Sequence, residues 1–279
     1  MGEVFQFARY NLNRLWYSPR PYFVLFFVYA TLELCFGCAR EYLAEAGQQI
    51  QATEFFSIAV SSRIPQWVLI FGIVLLLGDA PFFHDGMECY ILRSNRAKWL
   101  MGQMMFCIIT IVEYVLVVVI MFLLMFSNFI VFKNEWSNII TLCCQVHSGR
   151  ILGITMNITF PVELIQSGSP YTIFFISCSY LILLMLFLCL LLMLCNLKMK
   201  VGMGYFVVVS ILVLRLFVDN SLVSKYVYFF SPCNLAVVSG RIVTSYSIAN
   251  TFLYFLSICS ILYYYIYKAI RKIDLQKSR

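Results

Sequence analysis

Three ionisable residues, Glu33, Glu113 and Arg215, stand inside long apolar runs of this sequence. A lone charge at the centre of a hydrocarbon layer costs about 2.5–3.5 kcal/mol, so each one needs a partner or a purpose. At 1.5 Å per residue, Glu33 lies about 18 Å beyond Pro21, Arg215 about 18 Å beyond Met203, and Glu113 about 20 Å beyond Leu100. These depths are comparable. Two readings are open: Arg215 pairs with Glu33 or Glu113 and ties the fifth apolar run to the first or third, or the charges line a substrate path.

Other chemistry is sparse. Metal-assisted hydrolysis wants two or three clustered His and acidic ligands, and the chain has only His84 and His147, far apart. A serine nucleophile needs a base within hydrogen-bond reach, and no histidine falls in an apolar run. Cys35-Phe-Gly-Cys38 has the spacing of a metal or redox motif but no second pair or nearby histidine, so packing is the expected role. Most of the 11 cysteines lie in or beside apolar runs; Cys143, Cys144 and Cys233 lie in expected outer loops, where Cys233 could bridge to one of the vicinal pair. No GxxxxGK[ST] run occurs, so the chain has no usual loop for ATP phosphates. It is read as a non-enzyme.

The elements that position these residues are apolar helices. Hydrophobic residues make up 62% of the 279 residues and charged residues only 12%, with a mean hydropathy of +0.87. A soluble domain carries about 25% charged residues, so lipid must cover this surface. Six runs approach the roughly 20 residues a bilayer requires: 21–38, 65–83, 100–126, 171–195, 203–217 and 248–267. The expected fold is an all-α integral membrane protein of six spans, residues 21–279, preceded by an interfacial helix within 1–20. Met1–Arg20 has no apolar core of a cleavable signal, so the first span is expected to act as an anchor.

Loop charge sets the expected orientation. With the N-terminus inside, the inner segments carry Arg9, Arg14, Arg20, Arg93, Arg96, Lys98, Lys198 and Lys200 and a basic tail from Lys268 to Arg279. The outer ones hold Arg40, Arg63, Lys133, Arg150, Lys225 and Arg241, roughly half as many cations. Both termini are therefore expected in the cytoplasm, with the chain in the cell membrane. Over residues 4–16, Val4, Phe5, Ala8, Leu12, Leu15 and Trp16 share an arc of about 120°, with Gln6, Tyr10, Asn11, Asn13 and Arg14 opposite and Phe7 the exception. Such a helix lies in the inner headgroup layer. Two prolines, Pro19 and Pro21, then turn the chain into the membrane.

Between the second and third runs, Pro81 ends the helix and Gly86–Leu92 is expected as a short helix, with Met87, Tyr90 and Ile91 on one face. Arg93, Arg96 and Lys98 flank it, and Ser94 or Asn95 caps the third span. Asp79 and Asp85 either cap and orient this loop or join a partner contact. A short helix with an apolar face and basic flanks, exposed below the bilayer, suits docking of a soluble protein.

The amphipathic start, the six runs, the Asp79-Ala-Pro-Phe-Phe…Tyr90…Arg93-Ser-Asn-Arg…Trp99 loop and Ser231-Pro-Cys-Asn234 together resemble permease subunits of the type-2 ABC exporter family. The nearest likeness is to Gram-positive permeases for antimicrobial-peptide export or immunity. The resemblance covers nearly the whole chain, through layout more than signature residues. It implies that Gly86, Met87, Tyr90, Ile91 and Arg93 belong to a coupling helix gripped by a separate ATPase, present in two copies. It also implies a second membrane subunit, identical or paralogous, and outer re-entrant helices within Ser221–Ser247. ATP and Mg would sit on the ATPase, with none in this chain, and no nucleic acid is involved. The expected cargo is a peptide or an amphipathic, lipid-like molecule. A non-transporting sensor or immunity subunit, or an intramembrane enzyme, are the alternatives.

Overall fold

The computed structural model describes residues 2–82, 96–146, 152, 158, 160–199, 202–220, 231–238 and 248–272. Its helices in chain order are α1 (Gly2–Tyr17), α2 (Arg20–Ala46), α3 (Glu54–Ser61), α4 (Arg63–Leu77), α5 (Arg96–Met125), α6 (Asn138–Gln145), α7 (Val162–Gln166), α8 (Pro170–Lys198), α9 (Met203–Asn220), α10 (Pro232–Leu235) and α11 (Ile248–Lys272). The strands among the described residues are two short ones, β1 (Ile50–Gln51) and β2 (Ile130–Val131), paired in parallel.

The runs 21–38, 171–195, 203–217 and 248–267 fall within helices, the run 100–126 passes the end of α5 by one residue, and the run 65–83 outlasts α4, which ends at Leu77. Among the described residues four helices, α2, α5, α8 and α11, are long and apolar enough to cross a membrane. A fifth crossing arises if α3 and α4, bent by 87° at Ser62, count as one broken span. Lipid-facing stripes support this reading: on α5, Met101, Ile108, Val112, Leu116, Ile120 and Leu124 are all exposed along one side. An aqueous surface does not tolerate so long an apolar patch. The chain is an all-α, multi-pass membrane protein in architecture.

α8 is the central post, packed against α3, α4, α5, α9 and α11. Its run Leu181–Cys195 is apolar on every face because neighbours surround it, as expected for a buried helix. Close approach needs small residues. A methyl at Gly72 of α4 would overlap the Tyr114 hydroxyl and lie 3.0 Å from Val28, so glycine lets α2, α4 and α5 meet. Gly72→Ala is expected to destabilise the chain by about 1–3 kcal/mol through overpacking. Tyr114→Phe in the same chain removes the overlapping oxygen and recovers part of the loss. Thermal melting in detergent checks this; an unaltered Gly72→Ala melt would mean the helices do not meet so closely.

Several boundaries depart from expectation. α2 runs on to Ala46 instead of ending at Cys38, and Gly47 then stops it with φ of 61° and an N–H bonded to the Leu43 carbonyl. Arg40, Glu41 and Glu45 project beyond the apolar layer while the backbone stays helical, which charge alone does not interrupt. α1 is not a free-standing helix. It packs along α5, with Phe7 against Gly102 and with Phe7, Ala8, Asn11 and Leu15 buried. Its buried face is rotated roughly 70° from the apolar arc. Protein covers one edge of that arc, and Phe5, half exposed, is left on the other.

Candidate functional site

The end of the bundle where α2 begins and α4 ends is called basal, and the opposite end distal. At the basal end, chain leaves α4 and descends into the loop singled out from sequence. Gly86, Met87, Tyr90, Ile91 and Arg93 lie outside the described residues, as does Asp85. The roots of that loop are described, and they are held by side chains from several helices.

Asn196, near the end of α8, donates from Nδ2 to the carbonyls of Gly78 and Ala80, both at 2.8 Å. Gln103 of α5 donates to the Phe82 carbonyl at 3.2 Å. Arg20, at the start of α2, pairs with Asp79 at 2.5 Å. Tyr205 of α9 covers Gly78 so closely that a methyl there would overlap its ring. On the return side, Arg96 donates to the carbonyls of Ile270 and Arg271 in the last turn of α11, at 3.3 and 2.9 Å. A guanidinium at a helix C-terminus satisfies orphan carbonyls and meets the negative end of the dipole. Thus α2, α5, α8 and α9 hold one root, and α11 the other.

Among these groups, only Asp79 and Arg96 drew attention in the sequence as loop residues. Asn196 and Gln103 left a weak signal, being polar residues in otherwise apolar stretches. Such residues in a membrane helix face protein and find partners.

The charges inside the apolar runs have other partners than those expected. Glu33 pairs with Arg40 on its own helix at 2.6 Å, two turns away. Gly37 stands between them, where a methyl would lie 3.3 Å from Glu33 Oε1, so glycine leaves the carboxylate its path. Glu113 accepts from Trp16 Nε1 at 3.2 Å. Because Gln103 already sits at the loop root, Glu113 is about 15 Å beyond that level, within reach of α1. Arg215, 4% exposed, donates from Nη2 to the Ser61 carbonyl at 3.4 Å, at the C-terminus of α3. No ion pair among these described residues joins Arg215 to either glutamate.

The distal end is capped. Phe36, Phe55, Phe56, Phe122, Phe126 and Phe174 interlock, with Phe55 and Phe126 stacked at 4.2 Å and the others edge-on. α3 crosses the α4 axis at 87°, so it lies across the bundle beside the distal segments and not along the spans. Its first residue, Glu54, is fully buried and joins the segment between α2 and α3, at Gln51, to the segment between α5 and α6, at Ser137. Oε1 accepts from the Ser137 backbone N–H at 2.5 Å, and Oε2 from the Ser137 hydroxyl at 2.8 Å and the Gln51 N–H at 3.0 Å. Burial nevertheless pushes its pKa from 4.5 up to about 7, the bonds from Ser137 and Gln51 opposing the rise. Nearby, burial raises the thiols of Cys143 to about 11 and Cys144 to about 12. Both are free thiols, so the disulfide option is not taken up. Of the expected re-entrant stretch, residues 231–238 are described: all are buried, α10 lies within them, and Gln66 of α4 donates to the Cys233 carbonyl at 3.3 Å. The remainder of Ser221–Ser247 lies outside the described residues.

No family model, curated protein or solved structure matches this chain.

Proposed function

We propose that this chain is the membrane-spanning permease subunit of an ABC exporter, with six spans, both termini cytoplasmic and the basal end facing the cytoplasm. α4 and α9 complete the span count beside α2, α5, α8 and α11. A separate ATPase, in two copies and with its own ATP and Mg, drives the cycle; a second membrane subunit completes the assembly. The cargo is a peptide or an amphipathic, lipid-like molecule moved outward.

One observation carries this reading: the loop at 83–95 is rooted in a frame to which α2, α5, α8, α9 and α11 each contribute. A loop that only joined two spans needs no such frame. A lever does, because a force applied to it must reach many helices at once. The basic residues Arg14, Arg20, Arg96 and Lys198 near this end agree with a cytoplasmic face under the positive-inside rule. The aromatic interlock supports a resting state closed at the distal end.

Co-expression with an ATPase encoded beside this gene tests the proposal. The expected result is a co-purifying complex whose vanadate-sensitive ATP hydrolysis needs both products and is lost when Met87 and Tyr90 are replaced by Asp. A chain that purifies alone, with no ATPase to bind and no effect of those replacements, would overturn it in favour of a sensor or immunity subunit.

A further inference from the structure

The basal end also holds a cleft that the lever does not use. It opens between α1, the start of α2 and the root of the loop, with a volume of about 380 Å³. That lies within the roughly 300–1,000 Å³ typical of small-ligand pockets. Asn11, Arg14, Ser18, Arg20 and Asp79 supply its polar lining, and Phe82 and Phe106, packed edge-on at 5.3 Å, make its apolar wall.

Asn11 is the telling residue. It is only 4% exposed, it lines this cleft, and neither its Nδ2 nor its Oδ1 has a hydrogen-bond partner. A buried carboxamide left unsatisfied costs about 1–3 kcal/mol per polar group, so native structures rarely keep one without a ligand or water to meet it. The charges beside it complete the pattern. Arg20 is bound to Asp79, whereas Arg14 forms no ion pair among the described residues. Two guanidiniums and one carboxylate leave the cleft a single net positive charge. The Ser18 hydroxyl donates to the Leu15 carbonyl at 2.6 Å, leaving its lone pairs toward any hydroxyl on the ligand.

We propose that this cleft binds a phosphate group, with Arg14 and the Asn11 carboxamide donating to its oxygens. A phosphodiester carries one negative charge, which matches the net charge of the site. Arg, with its planar fork of donors, is well suited to phosphate oxygens. The aromatic wall and the exposed Tyr22 and Phe23 on the adjoining turn of α2 give acyl chains an apolar path beside it. The group therefore arrives on a lipid headgroup or as a free phosphate, and this holds whether or not an ATPase partner exists.

The purified full chain, stripped of lipid by detergent exchange, is titrated with short-chain phosphatidylglycerol, short-chain phosphatidylcholine and inorganic phosphate. Native mass spectrometry reads the lipid retained. The expected result is one phosphatidylglycerol per chain, held at least tenfold more tightly than phosphatidylcholine and weakened at least tenfold by Arg14→Gln. Arg14 is exposed, so that variant folds; Arg14→Lys is expected to recover part of the binding. Displacement of the lipid by millimolar phosphate would assign the site to free phosphate, and resistance to it would assign the headgroup. Equal retention of both lipids, or wild-type retention by Arg14→Gln, would mean only annular lipid and would overturn the proposal.

Discussion

Replacing Asn196 with Leu is expected to loosen the root of the basal loop by about 2–3 kcal/mol while leaving the bundle assembled. The side chain is partly buried, and its Nδ2 is the donor described for both the Gly78 and Ala80 carbonyls. Leu keeps the branched shape, with the same number of heavy atoms, but offers neither bond, and each carbonyl stranded without a donor costs about 1 kcal/mol or more. That shift favours a released root by roughly 30- to 150-fold. Hydrogen exchange at the Ala80 amide, bonded to the Leu77 carbonyl at 3.0 Å, reads it, and its protection should fall by that factor. If the loop is a lever, vanadate-sensitive ATP hydrolysis by the complex drops at least tenfold as well. Unchanged protection in the variant would show that Asn196 does not hold the loop.

The reason a single asparagine can matter so much is its position. α8 touches most of the bundle, and Gly204 at the start of α9 lets that helix approach Asn196, where a methyl would lie 3.0 Å from its Oδ1. Motion at the root therefore reaches α8 and α9 together. Tyr205, lying over Gly78, adds a second grip from α9. The same frame explains why Arg20 is better spent on Asp79 than on lipid: its pair joins the start of α2 to the end of α4.

Apolar length was the clearest message in the sequence, since hydrophobic runs near 20 residues have few other outcomes. The runs at 100–126 and 171–195 became α5 and α8 with ends displaced by only a few residues. The direction a side chain takes around a helix was not readable. Glu33, Glu113 and Arg215 were placed at comparable depths, yet Gly37 sends Glu33 to Arg40, α1 brings Trp16 to Glu113, and the bend at Ser62 presents the Ser61 carbonyl to Arg215. Each partner depends on a neighbour whose packing no periodicity reports. The long distal segments were illegible for the same reason. They lack a strong apolar period, and their order comes from tertiary bonds such as Trp136 Nε1 to the Gly168 carbonyl, at 2.9 Å, and the grip of Glu54 on Ser137.

That grip should make the distal cap sensitive to pH. Glu54 has an ordinary pKa of 4.5 and, buried, about 7. The folded chain therefore binds this proton more tightly than the unfolded chain, and stability falls with rising pH across the interval between the two values. The contribution is fully present below about pH 4.5 and is lost as pH rises through 7. A shift of this size corresponds to about 3 kcal/mol. The neighbouring thiols of Cys143 and Cys144, raised from 9.0 to about 11 and 12, stay neutral in the folded chain, and their ionisation in the unfolded chain near the alkaline end is common to wild type and variant and drops out of the difference. Glu54→Gln keeps the shape and removes the titration. It also sets an amide donor against the donors of Ser137 or Gln51, a cost that does not vary with pH. Subtracting its melting curves from those of the wild type between pH 5 and 8.5 isolates the carboxyl. The wild type is expected to lose about 3 kcal/mol relative to Glu54→Gln over that range, with the midpoint of the loss near 6 and the cap amides of residues 137–145 exchanging faster at the alkaline end. A difference that stays flat, or rises with pH, would mean that the Ser137 and Gln51 donors outweigh burial and hold the carboxylate ionised.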